Sequence, residues 1–265
     1  MPAFKDQLGR IINLEIQPSR IISLVPSQTE LLYALGLDDE VIGITKFCIH
    51  PTGWFRSKTR VGGTKKLNIE KIQSLNPDLI IANKEENLQS EIELLSKYIP
   101  VWISDICNLT DAVQMISQVG VLVDKQEKAM GIIKNIQFEF EHFRNQGMPT
   151  AVRTCYLIWK DPYMTAGGDT FINDMLEHAG LENVYKSKNR YPEITVTKLK
   201  NMNIQLLLLS SEPYPFKEKH VAELQHALRD TKIMLCDGEV FSWYGSRLAY
   251  APQYFKRLRD EIAIS

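Results

Sequence analysis

Apolar strand-like runs alternate with amphipathic helix-like runs along this chain, and the alternation starts over after about residue 150. Arg20–Val25 reads as a buried strand that breaks at Pro26-Ser27, and Gln28–Leu35 then reads as a helix stopped by Gly36. Val41–Thr45 is a second short strand. After a Gly-, Pro- and Lys/Arg-rich stretch, Asn68 reads as an N-cap before a helical face of Ile69, Ile72 and Leu75. Leu79–Ala82 and Val101–Ile103 are further strands, separated by a helix over Leu88–Tyr98, and Thr110 opens another helix. Strands alternating with helices imply βαβ units and a mainly parallel sheet.

The stretch from about Lys125 to Asn145 differs. Ala129, Ile132, Ile133, Ile136, Phe140 and Phe143 recur at helical spacing, and Gly147-Met148-Pro149 ends the run. A helix of that length spans about 30 Å. The strand–helix pattern then resumes: strand Val152–Trp159, helices Thr170–Ala179 and Val196–Met202, strand Ile204–Leu209, helix Lys217–Leu228, strand Lys232–Cys236 and helix Pro252–Ile262. NIEKIQSLNPDLIIAN (68–83) aligns without gaps on TVTKLKNMNIQLLLLS (195–210), with Lys71 on Lys198, Asn76 on Asn203 and Leu79 on Leu206. The segments 29–41 and 170–184 also correspond, Gly36 and Gly180 each closing a helix.

The expected fold is therefore α/β, with two Rossmann-like lobes of mainly parallel sheet. An N-terminal lobe covers residues 20–123, a linking helix 124–147 and a C-terminal lobe 150–265. Open α/β sheets bind ligands beyond the carboxyl ends of their strands, which predicts a cleft lined by the strand-end loops of both lobes.

Composition excludes some partners. A net charge of -1 over 265 residues gives no field to attract nucleic acid or anionic lipid. Lys5, Asp6, Gln7 and Arg10 lie where an export leader would be apolar, so the chain as written reads as cytoplasmic, or periplasmic if a leader is missing from it. Cys48, Cys107, Cys155 and Cys236 form no C-x-x-C pair and read as buried or half-buried thiols.

RIISLVPSQTELLYALGL (20–37), VGGTKKLNIEKIQSLNPDLIIANKEEN (61–87), the long helix, and DPYMTAGGDTFINDMLEHAGLENVY (161–185) together resemble the class III, or helical-backbone, solute-binding proteins of ABC importers. The resemblance runs from about Arg20 to Ile264. It implies a non-catalytic, monomeric receptor with little hinge motion. Such a receptor needs no cofactor, binds a cobalamin-like corrinoid or another metal chelate (ferric siderophore, haem), and hands it to a permease. It also implies a permease-docking Glu on each lobe. Glu70 matches the first, whereas the repeat puts Thr197 at the second.

The strand-end loops supply candidate ligand contacts. Pro26 and Ser27 end the first strand. Trp54, Tyr163, Trp243 and Tyr244 bring rings that could stack on a planar chelate. Lys65 and Arg247 are the preferred cations for ligand carboxylate or phosphate. Gly167-Gly168 opens a helix and could present N–H groups to an anion. His50, in Cys48-Ile49-His50, is a weaker metal candidate. No G-x-S-x-G, H-E-x-x-H or P-loop occurs, so no enzyme is expected. The alternative is a cytosolic enzyme or corrinoid-handling protein on the same scaffold, with Glu85 and Glu86 as paired carboxylates.

Overall fold

Ile21–Ser23, the middle strand of a parallel sheet, is wholly buried on both faces, which explains its unbroken apolar reading. The computed structural model describes residues 3–147 and 150–263, so Met148 and Pro149 lie outside the described residues. The chain divides into two compact units. The first comprises residues 1–106, 110–136 and 244–247, and the second 107–109, 137–243 and 248–265.

In the first unit five parallel strands lie in the order Thr59–Arg60, Val41–Ile44, Ile21–Ser23, Leu79–Asn83, Val101–Ser104. Ile22, Leu24, Ile80, Ala82, Val101 and Ile103 pack with Ile72, Ile92 and Leu95 from flanking helices. Each such aliphatic side chain contributes about 1.5–3 kcal/mol when fully buried.

In the second unit Val152–Trp159 is central. It pairs in parallel with Leu181–Asn183 and Leu206–Ser210, and the latter pairs with Lys232–Cys236. Tyr163–Thr165 folds back antiparallel on Val152–Trp159 and is extended by Glu193–Ile194. Cys155, Leu157, Leu207, Leu209 and Ile233 pack under Leu199, Leu224 and Leu228.

The repeat holds at the level of single bonds. Arg20 donates from Nε to the Asn76 carbonyl at 3.0 Å and from Nη2 to the Leu75 carbonyl at 2.5 Å. Arg153 donates in the same way to Asn203 at 3.4 Å and Met202 at 2.9 Å. Each arginine thereby satisfies carbonyls left open where a helix ends. Asn76 and Asn203 both take the left-handed conformation, at φ 46° and 47°, a conformation in which asparagine is tolerated better than most residues. The helices they close, Ile69–Ser74 and Val196–Asn201, are N-capped by Asn68 and Thr195, whose side chains accept from Lys71 and Lys198.

Two boundaries differ from the sequence expectation. Residues before Arg20 belong to the first unit: Ala3–Lys5 and Ile11–Asn13 form a hairpin. Its turn docks on the edge strand, with Gln7 N–H on the Ile103 carbonyl at 3.2 Å and Arg10 Nη2 on the Val101 carbonyl at 2.7 Å. That covers polar groups an open edge would expose. Residues 244–247, expected in the C-terminal lobe, belong with the first unit. A Cβ on Gly245 would lie 2.5 Å from the Ser27 carbonyl oxygen, so only glycine fits there. The long helix runs Gln126–Asn145, with residues through Ile136 in the first unit and those from Gln137 in the second. No helix among the described residues is long and apolar enough to cross a membrane.

Candidate functional site

The carboxyl ends of the first unit's strands are held by a buried polar network. Gln28 Nε2 and Asn83 Nδ2 both donate to Ser104 Oγ, at 2.5 and 2.9 Å. Asn87 Oδ1 accepts from the Asn83 N–H, and Asn87 Nδ2 reaches the Thr64 carbonyl at 3.1 Å. Asn83 Oδ1 in turn accepts from the N–H groups of Glu85 and Glu86. The loops after three strands are thus cross-braced by amide and hydroxyl side chains, a firm platform for binding residues.

On this platform stand Lys65, whose ammonium bonds the Glu85 carbonyl, and Lys84, paired with Asp105 at 2.6 Å. Phe47, just past the strand Val41–Ile44, is 50% exposed, with the Lys46 ammonium 5.0 Å from its ring centroid. The sequence reading missed Phe47. Its signal was its place directly after a strand's carboxyl end.

Trp54 needs correcting. It lies on the short helix Thr52–Ser57 and is 3% exposed. Its Nε1 donates to Asp38 at 2.5 Å, its ring meets Tyr33 edge-on, and Lys58 lies over it. Asp38 precedes the strand Val41–Ile44, so Trp54 packs at the amino end of that strand, away from the carboxyl-end loops. Arg247 lies in the segment 244–247 of the first unit. Its guanidinium is engaged by Glu30, with two bonds of 2.9 Å. Pro26 begins the helix Pro26–Ala34, and Ser27 beside it is buried against Gly245. Tyr244 is buried in the same segment.

His50 is half-buried, but the neighbouring Cys48 thiol is fully buried and turned to Thr29 and Thr45, at 3.0 and 3.1 Å. Burial also raises its pKa, so Cys48 is set against acting as a thiolate donor beside His50. Among the described residues no group of three or more His, Cys, Asp or Glu side chains is arranged to hold a metal ion. The Gly167-Gly168 pair does not present its N–H groups to an anion. They bond the Arg190 and Lys188 carbonyls at 2.7 and 2.8 Å.

In the second unit the strand ends carry rings. Trp159, the last residue of its strand, is 39% exposed and meets Tyr214 edge-on at 5.7 Å. Tyr214 packs on Phe216 and His220, and Tyr163 is partly buried in the same core. Trp243 follows the short helix Gly238–Ser242. It is buried, and its Nε1 donates to Glu212 Oε1 at 2.9 Å. Ser242 donates to the same oxygen at 2.6 Å. Glu212 was not singled out from sequence, because its partners lie 30 and 31 residues away.

Glu70 is exposed in the first turn of its helix, and Thr197 is exposed at the matching position of Val196–Asn201.

Doubly wound sheets with polar and aromatic strand ends define a class of ligand-binding α/β protein. The chain belongs to the periplasmic binding protein family, whose model matches residues 21–239. It is 24% identical over 208 residues to an uncharacterized ABC transporter substrate-binding lipoprotein of Bacillus subtilis (strain 168), a match covering 75% of this chain and 65% of that protein. It is 28% identical over 193 residues to a vitamin B12-binding protein of Vibrio vulnificus (strain CMCP6), covering 71% and 70%. Its fold is that of the periplasmic heme-binding protein of Roseiflexus sp. RS-1 in apo form, with a TM-score of 0.80, 20% identity and coverage of 92% and 99%.

Proposed function

We propose that this chain is the substrate-binding component of an ABC-type uptake system and that its ligand is a metal chelate, a cobalamin-like corrinoid or else haem or a ferric siderophore. The observation that carries the reading is the placing of rings at strand carboxyl ends. Phe47 and Trp159 are each exposed there, Phe47 beside the braced polar loops of the first unit. Exposed rings supply apolar faces that suit a planar macrocycle or an aromatic chelate.

Lys65, Tyr163 and Trp243 are the contacts we assign to the ligand from the sequence candidates, joined by Phe47 and Trp159. Proteins similar to this chain are named as B12-binding, heme-binding and ABC substrate-binding proteins, which supports the class of ligand and a permease as partner. Glu70 is the docking acid we assign to that permease. Thr197 at the matching position makes the docking one-sided, resting on a single carboxylate. The relatives' names also support work outside the cytoplasmic membrane.

A spectroscopic titration of the purified chain with cyanocobalamin, haemin and a ferric catecholate tests the reading. Saturable binding of at least one is expected. No binding of any would overturn it.

A further inference from the structure

Glu212 is a carboxylate that the second unit builds with care and leaves half used. It follows the strand Leu206–Ser210, at its carboxyl end. Its Oε1 accepts two hydrogen bonds, from Ser242 Oγ at 2.6 Å and Trp243 Nε1 at 2.9 Å. Its Oε2 accepts none from the described residues, and no Lys or Arg among them forms an ion pair with it. The backbone is fixed as well. Ser210 Oγ donates to the Glu212 carbonyl at 2.5 Å and itself accepts from Tyr156 at 3.0 Å.

Room for the side chain comes from Gly238. A Cβ there would lie 2.6 Å from Glu212 Cγ and 2.4 Å from Ser210 Oγ. The position thus draws on a glycine, a serine and a tryptophan from the single stretch 238–243, together with Ser210, to hold one acid.

The surroundings do not compensate its charge. Burial pushes the Glu212 carboxyl above its usual range, and the carboxylates of Glu239 and Asp237 add to the rise. The bonds from Ser242 and Trp243 offset only part of it. Glu212 is half-buried, and a carboxylate so placed without a cation gains from a donor that reaches its open oxygen.

We propose that Glu212 Oε2 receives an N–H group of the ligand, a peripheral amide or an ammonium, and so selects amide-bearing chelates over carboxylate-bearing ones. This assignment rests on the chelate-binding reading above. A corrinoid with primary amides at its rim fits the carboxylate, whereas a haem propionate placed there meets like charge.

Glu212→Gln is the informative variant. Its amide oxygen can keep the bonds from Ser242 and Trp243, while Nε2 replaces Oε2, so the ligand-facing atom changes from acceptor to donor. The full chain and the variant are titrated with cyanocobalamin and with haemin, and thermal unfolding confirms that both are folded. The wild type is expected to bind cyanocobalamin more tightly than haemin. The variant is expected to lose about tenfold or more of its cyanocobalamin affinity, the scale of one hydrogen bond to a charged group, and no haemin affinity. Unchanged cyanocobalamin binding by a folded variant overturns the assignment alone. So does a wild type that binds haemin and not cyanocobalamin. If Glu212→Gln fails to fold, Glu212→Asp, which keeps the charge but withdraws Oε2, takes its place, with the same loss expected and the same null result decisive. A wild type that binds neither probe overturns the assignment, and one that also fails to bind the ferric catecholate overturns the reading on which it rests.

Discussion

Arg247 holds Glu30 through two parallel bonds, Nε to Oε2 and Nη2 to Oε1, each 2.9 Å long. Both side chains are about four-fifths buried, at 21% exposure. Removing one partner leaves the other charge poorly solvated, which costs more than the pair contributes. Glu30→Gln and Arg247→Met are each expected to lower stability by about 1–3 kcal/mol. The double variant should fall short of the sum. A double-mutant cycle by urea unfolding measures the coupling, and strict additivity would contradict the pairing.

The repeated helix ends predict a pair of matched effects. Asn76→Ala and Asn203→Ala place a Cβ-bearing residue without a helpful polar group at positive φ, expected to cost about 1 kcal/mol each. Asn76→Gly and Asn203→Gly are expected to cost less than the alanines or nothing. Denaturant midpoints for the four variants check the order, and an alanine as stable as the glycine would contradict it.

Two rings near one loop separate packing from binding. Trp54→Ala empties a buried site and loses an indole bond to Asp38, so it should destabilise by about 3–5 kcal/mol. Phe47→Ala, on an exposed ring, should leave stability nearly unchanged and weaken chelate binding. Parallel melts and titrations of both variants decide this, and unchanged binding by Phe47→Ala would remove that ring from the site.

His220 predicts a pH effect on stability. It is buried, its Nδ1 accepts the Lys217 N–H at 2.9 Å, and Tyr214 Oη lies 3.4 Å from Nε2. Burial, then the Lys160 and Lys219 charges, lower its pKa from the ordinary 6.5. The unfolded chain therefore binds this proton more readily than the folded one. The neutral ring's contribution is complete above the unfolded value and is lost as pH falls through 6.5 towards the lower folded value. His220→Asn keeps an acceptor for Lys217 without titrating there. Its stability should vary less between about pH 7 and 5 than the wild type's. Equal pH slopes in urea unfolding would contradict the assignment.

Thiol labelling gives a further check. Cys48, Cys155 and Cys236 are buried and Cys107 is half-buried. Burial pushes the Cys155 thiol up to about 12 and raises Cys48 and Cys236 as well. An aromatic disulfide reagent should therefore modify Cys107 first in the native chain and all four cysteines after denaturation. Rapid native labelling of Cys155 would contradict the packing.

Much of this fold is legible in the sequence, for physical reasons. Strands such as Leu79–Asn83 and Leu206–Ser210 are buried on both faces and so read as unbroken apolar runs. The helix Gln126–Asn145 declares itself through Ala129, Ile133, Ile136, Phe140 and Phe143, all buried. The hairpin before Arg20 was illegible because its strands have three residues each and mostly face solvent. Trp54 was misplaced because its helix has six residues, too few for a period to show, and its anchor Asp38 lies across a strand in sequence. Residue type and loop position pointed to Trp243 and Arg247. Nothing local revealed that Glu212 and Glu30 already hold them, since those bonds span 31 and 217 residues.

The central claim is that this chain binds a metal chelate. Native mass spectrometry of the full chain, incubated separately with cyanocobalamin, haemin and a ferric catecholate, tests it most directly. The account predicts a complex of one chain with one chelate for at least one of the three, surviving dilution to about micromolar concentration. Bare protein in every incubation would contradict it.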